Sequence, residues 1–161
     1  MAEFAVINAS PLIFLTRGRH LDLLPHFADR LVVPEPVAHE IRVKGPQDIT
    51  VRALETVPWI EVSPAPRVPA IILEWGLGPG ESSVLAFAQQ HAGVEAIIDD
   101  LAARKCAAGL GIPVRGTLGI VLTAKKRGLI PSARVVMEDL IQAGLYLSCR
   151  GLDDALRRVD E

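Results

Sequence analysis

Ala5-Val6-Ile7-Asn8-Ala9-Ser10-Pro11 is the stretch that decides the fold: an apolar run of strand length that stops at a helix cap, with proline near the first turn. A helix is expected from Leu12 onward. The same grammar returns at Leu31-Val32-Val33, closed by Pro34 and Pro36 and followed by helical spacing over 37–43. It returns again at Ala96-Ile97-Ile98, which ends in Asp99-Asp100 before a helix through Cys106. Between and beyond these, Trp59-Ile60-Glu61-Val62 alternates like a strand and Pro113-Val114 offers a short one. Helical spacing falls over 47–57, 81–91, 118–126, 132–143 and 152–159, and 145–148 reads as a last edge strand. Short apolar strands alternating with amphipathic helices predict an α/β layer structure around a largely parallel sheet. Pro64, Pro66 and Pro69 make a stiff connector, yet the pieces on either side are each too small to bury a core alone, so one domain over 1–161 is expected.

Composition excludes several classes. Of 161 residues, 50% are apolar and 22% charged, a globular balance rather than a disordered one. Lysine and arginine number 17 against 19 acids, a net charge of −2 that rules out indiscriminate binding of polyanions. Cys106 and Cys149 lie in no paired metal-ligand spacing, which argues against a disulfide framework or zinc ribbon. Met1-Ala2-Glu3-Phe4 lacks the basic start expected of a secretory leader, and no apolar run approaches the ~18–20 residues that span a bilayer. A cytoplasmic protein, with no membrane partner, is the expectation.

In parallel α/β sheets ligands bind beyond the carboxyl ends of the strands. Asn8 and Ser10 follow the first strand, Glu40 lies in the helix after Val33, Glu81 opens a helix after Gly76-Leu77-Gly78-Pro79-Gly80, and Asp99 and Asp100 follow Ile98. If the strands are neighbours these groups converge. Gathered carboxylates repel unless a cation neutralises them, and oxygen-only sets suit Mg²⁺ or Mn²⁺. Such an ion polarises a phosphoryl group, activates the attacking water and stabilises the leaving oxygen, so metal-assisted phosphodiester hydrolysis is the chemistry that fits. Taken singly, Glu81 and Asp99-Asp100 read equally well as helix caps, and Glu40 as part of a solvated helix face. Their joint placement carries the functional reading.

The remaining candidates are weaker. His39-Glu40 lacks the second histidine of a zincin helix. The glycine run misses the dinucleotide spacing and reads as turn geometry, and Ser10 and Ser82 have no evident histidine base. Basic residues are distributed unevenly: no acid occurs between Asp100 and Glu138, while Arg104, Lys105, Arg115, Lys125, Lys126, Arg127 and Arg134 fall inside that interval. If they share a face they would attract a phosphate backbone. Aromatics at 4% argue against recognition by base stacking.

Taken in series, Val6-Ile7-Asn8-Ala9-Ser10-Pro11-Leu12, Val33-Pro34-Glu35-Pro36-Val37-x-x-Glu40-Ile41, Gly78-x-Gly80-Glu81, Ile98-Asp99-Asp100 with Ala103-Arg104, and Gly116-Thr117-Leu118-Gly119 resemble the PIN domain, and within it the VapC-like toxin ribonucleases. The resemblance covers nearly the whole chain. It implies a three-layer α/β/α sandwich with a central parallel sheet and a Mg²⁺- or Mn²⁺-dependent endoribonuclease acting on RNA, with a small antitoxin protein as partner; the exposed apolar helices expected here suggest a homodimer. It implies Glu40, Glu81 and Asp100 as ligands, with Asp99 in place of Asp100 or helping it. Ser10 would support metal or phosphate, and Thr117 would cap the helix after Val114. Where the family most often carries aspartate this chain has Asn8, as a branch of PIN-like proteins does; an amide oxygen still ligates a hard cation but lowers the site's charge. That departure implies a second reading, a catalytically weak or inactive module that binds nucleic acid or protein.

Overall fold

The computed structural model describes residues 2–161; Met1, where the N-terminal reading began, lies outside them. Five parallel strands form one sheet: β1 (Ala2–Ile7), β2 (Ala28–Pro34), β3 (Ile60–Ser63), β4 (Ala96–Ile97) and β5 (Val114–Arg115), in the order β3-β2-β1-β4-β5. Val6 and Ile7 point to opposite faces of the sheet, yet both are fully buried, as are Ile97 and Ile98. Such two-sided burial requires a layer of helices on each face, and the architecture is a three-layer α/β/α sandwich.

The helices are α1 (Ala9–Arg17), α2 (Glu35–Arg42), α3 (Ile49–Thr56), α4 (Ala70–Leu73), α5 (Pro79–Gln90), α6 (Leu101–Gly109), α7 (Thr117–Lys126), α8 (Ala133–Gln142) and α9 (Cys149–Arg157). A 3₁₀ segment, Leu21–His26, connects α1 to β2 and tucks Leu23 and Leu24 into the core. Asp48 caps α3, its Oδ1 accepting from Thr50 N at 2.9 Å. The order places the reversal of strand sequence between β1 and β4, where Val6 pairs with Ala96 and Ile7 with Ile97. Ligands in open α/β sheets bind in the crevice at such a switch point, beyond the carboxyl ends of those strands.

Two expectations are corrected. Residues 145–148 form no strand, although their exposure does alternate, with Leu145 and Leu147 packed against the core and Tyr146 90% exposed. The alternation belongs to a connector after α8: Gly144 takes φ 115° and Leu145 N returns to Leu140 O, closing the helix end. Thr117 is the first residue of α7 and not its cap, a place taken by Gly116 in extended conformation. Among the described residues no helix is long and apolar enough to cross a membrane.

Candidate functional site

β1 ends at Ile7, and the backbone N–H of Asn8 donates to Ile97 O at 3.0 Å, fixing Asn8 at the mouth of the switch point. Asn8 stands at the N-cap of α1, but its side chain does not serve the helix. Instead Nδ2 donates to Glu81 Oε1 at 3.2 Å, and Oδ1, buried, has no hydrogen-bond partner. A buried acceptor left unpaired costs about 1–3 kcal/mol, so this oxygen marks a place prepared for something else.

Glu40 reaches the same place from α2. A Cβ added to Gly80 would lie 2.9 Å from Glu40 Oε2 and 3.1 Å from Asn8 Oδ1, so both oxygens border the space that this glycine leaves open. Gly80 is an α5 residue, one before Glu81, and its role is close approach. Of the run read as turn geometry, Gly76 carries the turn, with φ 65°. Glu40 has its pKa raised, chiefly by desolvation and next by the charge of Glu81, with Lys44 pulling the other way. Two carboxylates and one unsatisfied amide oxygen thus converge, an all-oxygen donor set suited to Mg²⁺ or Mn²⁺.

Asp99 and Asp100 lie beyond the end of β4 and are both engaged in shaping helices. Asp99 accepts from Thr117 N at its Oδ1 and from Thr117 Oγ1 at its Oδ2, both at 2.7 Å, tying the start of α7 to the end of β4. Asp100 caps α6, its Oδ2 accepting from Ala103 N at 2.9 Å. Among the described residues no three or more His, Cys, Asp or Glu side chains cluster closely enough to hold a metal ion. The groups brought together are therefore Asn8, Glu40 and Glu81; Asp99 and Asp100 stand apart from them at the neighbouring strand end. Ser10 is exposed in the first turn of α1.

The basic stretch divides. Arg104 stays with the site end: a Cβ on Gly116 would meet its Nη1 at 2.8 Å and Asp99 Oδ1 at 3.0 Å. Lys105, in the same helix, and Lys126 are exposed. Arg115 donates to Glu95 at 2.8 Å and lies 5.1 Å from the Phe27 ring centroid, and Arg127 lies equally near that ring. Both line a cavity with Ala2 and Pro113, at the amino ends of β1 and β5. Lys125 bonds to Pro131 O and pairs with Glu161. A helix of ten residues advances ~15 Å, so α7 begins at the site and carries its last charges away from it.

Sequence reasoning did not single out the cavity beside Glu40, lined by Pro36, Val43 and Pro79 among others. No motif marks it, since it forms only when α5 packs across α2. The family model described as a PIN domain matches residues 4–161. No curated protein matches the sequence.

Proposed function

Because the chain belongs to the PIN-domain family, a nuclease-type fold, we propose that it is an endoribonuclease dependent on Mg²⁺ or Mn²⁺, acting as one domain over 1–161. The observation that carries this reading is the buried, unpartnered Oδ1 of Asn8 between two carboxylates. Glu40, Glu81 and Asn8 hold the ion, and Asp100, set apart at the neighbouring strand end with one oxygen free of the cap, acts on it through bound water, with Asp99 beside it. A bound divalent ion supplies polarisation of the phosphoryl group, acidification of the attacking water and charge neutralisation at the leaving oxygen.

The chain's own residues do the rest. Asn8 Nδ2 orients Glu81 through its hydrogen bond, so that one amide group both aims a carboxylate and offers an oxygen. Asp99 fixes Thr117 and with it the start of α7. Arg104 and Lys105 attract the RNA phosphates at the site end and Ser10 lies at the same mouth, whereas Arg115, Lys125, Lys126 and Arg127 stand away from it, Arg115 and Lys125 paired with acids, and form no continuous basic surface with it. The toxin role, with a small antitoxin as partner in the cytoplasm, rests on the likeness to VapC-like sequences. Ile71, Leu73 and Trp75, exposed on and just after α4, offer the apolar surface for that partner or for a second copy.

Purified protein incubated with RNA and Mn²⁺ or Mg²⁺ tests the reading. Cleavage that requires the ion and is abolished in Glu81→Gln and Glu40→Gln supports it; equal activity in those variants removes the assignment. A second reading, a binding module without turnover, is favoured by the amide at position 8 in place of a third charge. RNA binding without cleavage, converted to cleavage by Asn8→Asp, would establish that alternative.

A further inference from the structure

We propose that the cleft between α2 and the start of α5 seats the unpaired nucleobase beside the phosphodiester held at the Asn8-Glu40-Glu81 centre, and so sets base preference. This inference rests on the ribonuclease reading and deepens it. The cavity measures about 560 Å³, within the ~300–1,000 Å³ of small-molecule sites. It shares Glu40 and Gly80 with the candidate metal centre, so a base inside it belongs to a nucleotide whose phosphate reaches that centre.

The lining suits a base better than a sugar or phosphate. Pro36, Pro79 and Val43 provide apolar surface for a ring to lie against, in a chain with few aromatics to stack upon. Besides Glu40, two polar side chains share the lining: Glu35, at the first turn of α2, and His39, one turn further on. Such a pocket, mainly apolar with a few polar groups that fix orientation, is the usual form of a ligand site. Glu35 Oε2 accepts from Arg42 at 3.5 Å, which leaves Oε1 as a pure acceptor: adenine, cytosine and guanine offer it an exocyclic amino group, whereas uracil offers one N3–H between two carbonyl oxygens that the carboxylate repels, so uracil is disfavoured. Phosphate is repelled from the pocket by Glu35 and Glu40, which leaves the backbone outside and the base within. Val43 is 74% exposed, apolar surface that a base would cover.

The experiment is cleavage of a randomised single-stranded RNA with Mn²⁺, followed by mapping of the bases flanking each cut. A preference of roughly tenfold for amino-bearing bases over uracil on one flank is expected, the effect of one ~1.4 kcal/mol interaction. Val43→Trp, which fills the cleft, and Glu35→Gln, which adds a donor, should each reduce that bias severalfold while circular dichroism stays native. Cutting with no base bias, or a bias unchanged in both variants, overturns the inference and leaves the ribonuclease reading standing. If the protein binds RNA without cutting it, the ribonuclease reading fails. The cleft is then judged by binding alone, with Ca²⁺ present: intact oligonucleotides should bind about tenfold tighter than ones carrying abasic sites, and equal affinity, or no RNA binding at all, overturns it.

Discussion

Asn8 and Glu81, 73 residues apart, share a 3.2 Å hydrogen bond that uses the amide's donor and leaves its acceptor buried without a partner. This pairing lets a neutral residue hold a carboxylate in place. The same arrangement limits repulsion, since Glu40 and Glu81 oppose each other with no third charge at position 8.

Asn8→Asp therefore trades stability for affinity. Losing the amide donor and adding a third negative group should cost about 1–2 kcal/mol without metal. The melting temperature should fall by roughly 2–8 °C. With Mn²⁺ the extra charged ligand should tighten binding by about tenfold and more than restore the melting point. Differential scanning fluorimetry with and without Mn²⁺ reads both effects, and an identical metal response in the two proteins would show that residue 8 is not a ligand.

Gly80→Ala separates the site from the fold. The new Cβ meets only the ends of two polar side chains, Glu40 and Asn8, and Val37 at an ordinary 3.6 Å. Alanine in a helix gains up to about 1 kcal/mol over glycine, which offsets the crowding. Stability should stay near that of the parent while Mn²⁺ affinity, measured by calorimetry, and RNA cleavage fall at least tenfold. Retained affinity would mean that the two oxygens do not share an ion.

Asp99 and Asp100 should divide into structural and functional roles. Both Asp99 oxygens hold fully buried Thr117, and hydrogen bonds to a charged acceptor are worth about 1.5–3 kcal/mol each, so Asp99→Asn should lower the melting temperature by several degrees. Asp100→Asn keeps a capping side chain and should melt near the parent, yet lose most of its metal-dependent activity. Melting curves and cleavage rates of the two variants side by side decide this, and the reverse pattern would reassign the ligand.

These residues also show how far sequence carries. β1 and the placement of Asn8 are legible because an apolar run followed by a cap and a proline has one physical reading. The roles of Asp99 and Asp100 are not, because a helix cap and a metal ligand ask for the same side chain at the same place beyond a strand. Basic residues 104–127 are contiguous in charge but not in space, since α7 carries Lys125 and Lys126 away from the end where Arg104 stays. Gly80 is visible as a glycine, but its purpose depends on α2 and α5 meeting, which no local pattern encodes.

Glu161 should make stability depend on acid. Its carboxylate accepts from Ala133 N at 2.6 Å, Arg134 N at 3.2 Å and Ser132 Oγ at 2.9 Å, over the first turn of α8. Lys125 lies 3.4 Å away. The Ala133 N–H foremost, then the Arg134 and Ser132 donors and the Lys125 charge, outweigh desolvation and hold the pKa at about 2, below the ordinary 4.5. A carboxyl with a lower pKa in the folded state than in the unfolded one contributes fully above about 4.5 and loses that contribution as pH falls toward 2. Glu161→Gln should therefore be less stable than the parent at pH 7, and the gap between their urea midpoints should close between pH 4.5 and 2. A gap that stays constant across that window would mean the carboxylate's charge plays no part in holding α8.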